Sequence, residues 1–261
     1  MRNFDKLVQK IVQEPMFFSE CRSIFKNIKE LKAYEFDTLY ESVANMKVLG
    51  FPLIELSNKK LALETTLTPF EKQRFCIVDI ETNGSKPTDA QIIEIGAVMY
   101  QDGKIVDKFE SYVKADEIPE NIVRLTGITV TDVKDAPYLK SVLEKFRLFL
   151  GDAVFMAHNV NFDYKFISYS MEEAGFGPLL NRKICTIDLA KKTIEAEKYG
   201  LGFLIKLFDI KVEHHRAYGD AYAAMVVFKK SLKNLPEHII TTEELVKFAN
   251  PNPKKRKKKK D

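Results

Sequence analysis

One stretch, Phe75-Cys76-Ile77-Val78-Asp79-Ile80-Glu81-Thr82-Asn83-Gly84, constrains this chain more than any other. Extended side chains alternate between two faces, so Phe75, Ile77, Asp79 and Glu81 share one and Cys76, Val78 and Ile80 the other. Both faces are apolar until the carboxylates arrive, the pattern of a central strand covered on both sides. Two carboxylates at the end of such a strand repel each other and lose hydration. A bound divalent cation would remove both costs. A strand that simply ran out into water would avoid them, and Asp-x-Glu alone does not decide between the two.

At 261 residues the chain has room for one large domain and a small one. No apolar run approaches the ~18–20 residues that span a bilayer, and the start at Met1 lacks the apolar core of a signal peptide. Three distant cysteines, Cys21, Cys76 and Cys185, suggest a reducing compartment and neither a disulfide framework nor a zinc site. A cytoplasmic location is expected. The net charge of +4 comes from the tail, where Lys254–Lys260 supplies seven basic residues and Asp261 one acid. The other 253 residues carry 34 basic and 36 acidic side chains. Such a body does not coat nucleic acid by charge alone, so if it handles phosphates, metal ions must meet them.

Residues 1–68 read as a separate unit. Phe4, Leu7, Val8, Ile11 and Val12 follow helical spacing up to Pro15. Ser19 is placed to cap a second helix with Ile24, Phe25, Ile28 and Leu31, and a third carries Phe36, Leu39, Tyr40, Val43 and Met46. Leu53–Leu56 and Leu61–Thr65 form a hairpin pattern. Three helices and a hairpin resemble a winged helix. Ten basic against nine acidic side chains in residues 1–70 suit protein docking as well as groove reading.

A second domain is expected over 74–235. After the opening strand come strands at Ile92–Tyr100 and Ile105–Val113, a short helix over 119–126 ending at Gly127, and a helix from Pro137 capped by Asp135. A strand at Ala153–Ala157, a helix from about Asn161, a strand at Ile184–Ile187 and a long helix at Tyr218–Leu232 follow. The fold class is α/β, a mixed five-stranded sheet with helices on its faces. A helical extension over 236–250 and a lysine-rich tail over 251–261, expected to be disordered, complete the chain.

Acids recur at element ends. Asp163 falls in the first turn of the helix after Ala157-His158-Asn159-Val160-Asn161-Phe162, with Asn161 as its cap, where the helix dipole favours negative charge. Asp220 falls in the first turn of the last helix, behind His214-His215-Arg216-Ala217. Carboxylates suit hard Mg²⁺, while imidazole suits softer ions and, near neutral pH, accepts a proton from water. Glu94, within the second strand, reads as a strand-edge or supporting acid outside the site.

Together these residues resemble the DnaQ-like, or DEDD, family of 3′–5′ exonucleases, over roughly residues 74–235. Asp79 and Glu81 match its first motif, Asp163 its second, and Asp220 with His215 its third. One branch of the family has a tyrosine four residues before the last aspartate and the other a histidine five before; with Arg216 and His215 in those places, the chain falls in the histidine branch. Leu125-Thr126-Gly127-Ile128 and the two histidine segments look like the proofreading exonucleases of bacterial replicative polymerases, both the separate epsilon subunit and the domain embedded in the Gram-positive polymerase. Asn83 stands where the family more often has threonine. The resemblance does not extend to the first 68 residues.

The resemblance implies a ribonuclease H-like fold and two divalent cations, Mg²⁺ or Mn²⁺, clamping the attacking and leaving oxygens of an in-line displacement. It implies Asp79, Glu81, Asp163 and Asp220 as metal ligands, with Asp79 bridging, and His215 as general base. Thr82, Asn83, Leu125, Thr126, His158, Asn159 and Phe162 would hold the last nucleotide. The implied partners are DNA 3′ ends and the catalytic subunit of a replicative polymerase, with no membrane. A relative that trims RNA or oligonucleotides, or an inactive replisome-binding module, would share much of this pattern.

Overall fold

The computed structural model describes residues 2–250 other than Lys29, Glu30, Ala33, Glu35, Glu213 and His214. The expectation of a disordered tail over 251–261 therefore lies outside the described residues, as does His214 of the segment before the last long helix.

The first unit contains α1 (Arg2–Ile11), β1 (Met16–Phe17), α2 (Phe18–Phe25), α3 (Leu39–Val48), β2 (Leu53–Glu55) and β3 (Lys60–Leu63). Both β1 and β2 pair antiparallel with β3. The helices and hairpin follow the expected order, and the short β1 is an addition. Ser19 is not a cap: α2 starts at Phe18, and the Phe17 N–H donates to the Glu20 carboxylate at 3.0 Å. Thr38 and Glu41 form a reciprocal capping box that starts α3 late, leaving Phe36 before it. Ile28, Leu31 and Phe36 still enter the unit's core, from the segment between α2 and α3 instead of from those helices.

The larger unit runs β4 (Phe75–Thr82), β5 (Ile92–Gln101), β6 (Lys104–Tyr112), α4 (Glu120–Thr126), α5 (Val130–Val133), α6 (Leu139–Leu150), β7 (Val154–Ala157), α7 (Val160–Glu173), β8 (Lys183–Cys185), α8 (Thr186–Thr193), α9 (Leu201–Leu207), α10 (Ala217–Leu232) and α11 (Thr242–Ala249). The sheet order is β6-β5-β4-β7-β8; β5 pairs antiparallel with both β4 and β6, while β7 pairs parallel with β4 and β8 parallel with β7, so β5 alone runs against the others. β4 is thus the central strand, and its two faces meet different cores. Cys76, Val78 and Ile80 pack with Val142, Phe146, Phe166 and Ile167 of α6 and α7. Phe75 and Ile77 pack with Ala221, Ala224 and Phe228 of α10 and with Leu245 of α11. This α/β/α layering is the expected fold class.

Three local expectations are corrected. Asp135 caps nothing, because α6 starts at Leu139 after Tyr138. Asn161 lies inside α7, whose first residue is Val160 and whose cap position is Asn159 in the left-handed region at φ 80°. Ile187 belongs to α8, since β8 ends at Cys185. No helix among the described residues is long and apolar enough to cross a membrane.

Gly96 sets how closely α10 approaches the sheet. A Cβ built there would lie 2.1 Å from the backbone nitrogen of Tyr218 and 2.2 Å from the carbonyl carbon of Ala217. Gly96 is also the register partner of Asp79, so the start of α10 meets the sheet directly across from that acid. Gly96→Ala must push the start of α10 outward, because backbone atoms cannot rotate aside. Equilibrium denaturant unfolding of this variant is expected to show a loss of about 1–3 kcal/mol; unchanged stability would mean that the contact is not tight.

Candidate active site

The acids gather at the end of β4, beyond its pairing with β7. Asp79 and Glu81 project from the face that α10 covers, and the pairing with β5 shifts register between Glu81 and Thr82. On the other side the ladder with β7 ends at Ile77–Met156. The backbone N–H groups of Ile80 and of Asp163 itself act on the Asp163 carboxylate to lower its proton affinity. Asp163 lies in the first turn of α7 and Asp220 in the first turn of α10, both buried. Each acid therefore sits at the positive end of a helix dipole, which partly offsets the cost of burial.

His215 enters from the segment before α10 with φ 65°, an uncommon value for a residue with a side chain. Its backbone N–H donates to Asp220 Oδ2 at 3.2 Å. Among the described residues, Glu81, His215 and Asp220 each offer one ligand atom, all within 4.8 Å of one another. The imidazole is thus among the carboxylates, near enough to share a cation as well as to take a proton. Asp79 and Asp163 lie outside that trio, yet Asp79 feels the charges of Asp163, Asp220, Glu81 and Glu94.

Crowding shows in the proton affinities. Burial first, then the Asp163, Asp220, Glu81 and Glu94 charges, push Asp79 well above the ordinary carboxylate range. Burial, reinforced by Asp220, Glu94 and Asp163, pushes Glu81 up to about 8, with Arg216 acting in the opposite direction. Burial raises Asp163 to about 7 against the two backbone N–H groups, of Asp163 and Ile80, that act to lower it. Oxygen donors of this charge and crowding fit hard divalent cations, which would be held by Asp79, Glu81, Asp163 and Asp220. A concavity of about 790 Å³ lies elsewhere, between α1 and α7, and the carboxylates do not line it.

The seven expected nucleotide contacts divide into two kinds. Leu125 and Phe162 are exposed, 53% and 37%, on α4 and the first turn of α7, and Asn159 is exposed beside Phe162. The other four have polar groups engaged within the protein. The Thr82 hydroxyl donates to the Gly84 carbonyl at 2.7 Å, and Thr126 Oγ1 accepts from the Ile128 N–H at 3.1 Å. Asn83 accepts from the Gln91 N–H and donates to the Glu117 carbonyl, closing the loop after β4. Both ring nitrogens of His158 have protein partners, the Thr186 hydroxyl and the Tyr199 carbonyl, each at 2.8 Å. Because a carbonyl only accepts, Nε2 must carry a proton, and His158 ties the end of β7 to the start of α8 and the segment before α9.

Glu94, set aside on sequence grounds, is directly across from Glu81. It accepts from Arg216 Nη2 at 2.8 Å and from the Ala217 N–H at 3.0 Å. Its position at even spacing from Gly96 on β5 was the available signal, because it places Glu94 on the face that carries the acids.

The chain shares 37% identity over 202 residues with a DNA polymerase III PolC-type of Staphylococcus haemolyticus, covering 75% of this chain and 14% of that protein. A DNA polymerase III PolC-type of Staphylococcus aureus is 40% identical over 167 residues, covering 62% and 12%. The chain therefore spans about one-seventh of the length of the curated relatives it matches. Among solved structures, Exonuclease X in complex with 5′ overhanging duplex DNA superposes with a TM-score of 0.53 at 26% identity, covering 67% of this chain and 99% of that one. Escherichia coli Exonuclease I in complex with a dA16 oligonucleotide shares the fold, with a TM-score of 0.56 at 18% identity over 63% of this chain and 42% of that one. The family described as Exonuclease (RNase_T) matches residues 76–228, more than half of the sequence, and the chain belongs to that family.

Proposed function

We propose that the chain is a divalent-metal-dependent 3′–5′ exonuclease that removes nucleoside 5′-monophosphates from DNA 3′ ends, proofreading beside a replicative polymerase in the cytoplasm. The observation that carries this reading is the convergence of Glu81, His215 and Asp220 within 4.8 Å, with Asp79 near enough to feel Asp163, Asp220 and Glu81. Membership of the Exonuclease family supports the reaction class. The PolC-type relatives support DNA as substrate and a polymerase as partner. In this reading residues 74–235 are the exonuclease unit, and residues 1–68 are a separate winged-helix-like unit.

The two cations of this reading would be held by Asp79, Glu81, Asp163 and Asp220 and, when bound, supply Lewis-acid polarisation of the scissile phosphodiester. The protein's own groups do the remaining work. The His215 imidazole takes a proton from the attacking water. Leu125 and Phe162 present apolar surface to the terminal nucleotide, and packing of that kind tolerates any base. Thr82, Asn83, Thr126 and His158 act by holding the surrounding loops in place.

Purified protein with Mg²⁺ is expected to shorten 5′-labelled single-stranded DNA from its 3′ end, to attack mismatched primer ends faster than matched ones, and to stop on chelation. Asp79→Ala is expected to lower the rate by at least ~10³-fold while circular dichroism stays unchanged. A near-normal rate in that variant would remove the assigned metal ligands. Faster consumption of RNA than of DNA would instead favour the trimming relative.

A second prediction follows from the proton affinities. The folded site retains protons up to about 8 at Glu81 and about 7 at Asp163, whereas an unfolded chain releases them near an ordinary ~4. Between those limits the native state binds more protons than the unfolded one, so stability falls as pH rises. In chelator, the melting temperature is expected to decline from about pH 5 to about pH 8, and Asp79→Asn to flatten that decline. Added Mg²⁺ or Mn²⁺ should stabilise most at the alkaline end. Melting curves independent of both pH and the substitution would show that the acids are not crowded.

A further inference from the structure

An ion pair between the sheet and α10 has no part in the steps above. Glu94 is 1% exposed, and on β5 it faces Glu81 directly. Like charges opposite each other in a sheet are unfavourable, and a buried carboxylate persists only where it is paired and hydrogen-bonded. The pairing here leaves the sheet. Arg216 Nη2 donates to Glu94 Oε1 at 2.8 Å and to the Tyr112 hydroxyl on β6 at 2.7 Å, and the Ala217 N–H donates to Glu94 Oε2 at 3.0 Å. The guanidinium also lies over the Tyr112 ring, 5.3 Å from its centre. Both bonded residues are immediate successors of His215, and Arg216 is the cap position of α10.

His215 itself is held at φ 65°. A residue with a side chain persists there only where its surroundings over-determine the backbone. On one side the His215 N–H is bonded to Asp220. On the other, the Arg216–Ala217 segment is fixed to Glu94 and pressed against Gly96. From this geometry we infer that Glu94 and Arg216 are positioning residues, a strut braced by Tyr112 that holds the His215 imidazole against Glu81 and Asp220. The inference deepens the proposed function and rests on that reading for its kinetic consequence.

The test uses the full chain and Glu94→Gln, which keeps an acceptor for the Ala217 N–H and removes the charge. The expected result is a kcat lower by on the order of 10–100-fold with KM for DNA little changed. The His215 ring Cε1–H resonance, assigned by its loss in His215→Gln, is expected to shift or broaden without added metal. Introduced into His215→Gln, the substitution should cost little further activity, because residues that act as a unit are not additive. Tyr112→Phe removes a single hydroxyl and should move the same resonance less, and it decides the matter if Glu94→Gln does not fold. An unmoved His215 resonance in the folded variants, or losses that multiply in the double variant, would overturn the strut. A wild-type chain that degrades no DNA would defeat the proposed function instead, while the resonance would still judge the strut.

Discussion

Carboxylates crowded at the end of β4 repel one another in a place with little water to screen them, and the layout of the larger unit answers that repulsion. Asp79 and Glu81 arrive on the strand itself, while Asp163 and Asp220 arrive on the first turns of α7 and α10. Two helix N-termini thus point their positive ends at the cluster. The Ile80 backbone, beyond the end of the β4–β7 ladder, acts to lower the proton affinity of Asp163. These contributions are partial, since Asp79, Glu81 and Asp163 all remain raised above ordinary carboxylates. A site that holds protons so tightly is one in which cations gain by replacing them.

Bringing α10 close enough to deliver Asp220 depends on small residues at the interface. Gly96 admits the backbone of Ala217 and Tyr218, and Ala221 and Ala224 continue the contact toward Phe75 and Phe228. Bulk increases along the helix, with Met225 and Phe228 filling the sheet farther from the acids. Close approach near the charges and ordinary core packing away from them are thus parts of one helix–sheet contact. Glu94 then joins the two layers by a charged pair at the point where apolar packing has ended.

The first unit has its own apolar core but does not stand apart. Leu180 of the larger unit enters that core, and its N–H donates to the Leu49 carbonyl at 2.8 Å. Glu243 on α11 accepts from both the Thr65 hydroxyl and the Arg182 guanidinium, so the end of the first unit, the segment leading into β8 and α11 share one buried carboxylate. Breaking such a pair leaves an uncompensated charge in the interior, which gives the three segments a common fate on unfolding.

Much of this was legible in order along the chain. The alternation of Phe75 to Glu81 assigned each side chain of β4 to a face, and apolar spacing located α6 and α10, because burial imposes its period on the sequence. Caps were less legible: Ser19, Asp135 and Asn161 have the right chemistry, yet helices start elsewhere, where tertiary contacts or the carboxylates of Glu20 and Glu41 meet the free N–H groups. The sequence by itself determined the fold class, the central strand and the acids to consider, since these follow from local periodicity and motif spacing. Only the tertiary structure decided that His158 ties loops together, that Glu94 bonds to the segment after His215, and that His215 lies among the carboxylates. Those roles depend on partners 28 to 123 residues away, or on a backbone angle that no local pattern encodes.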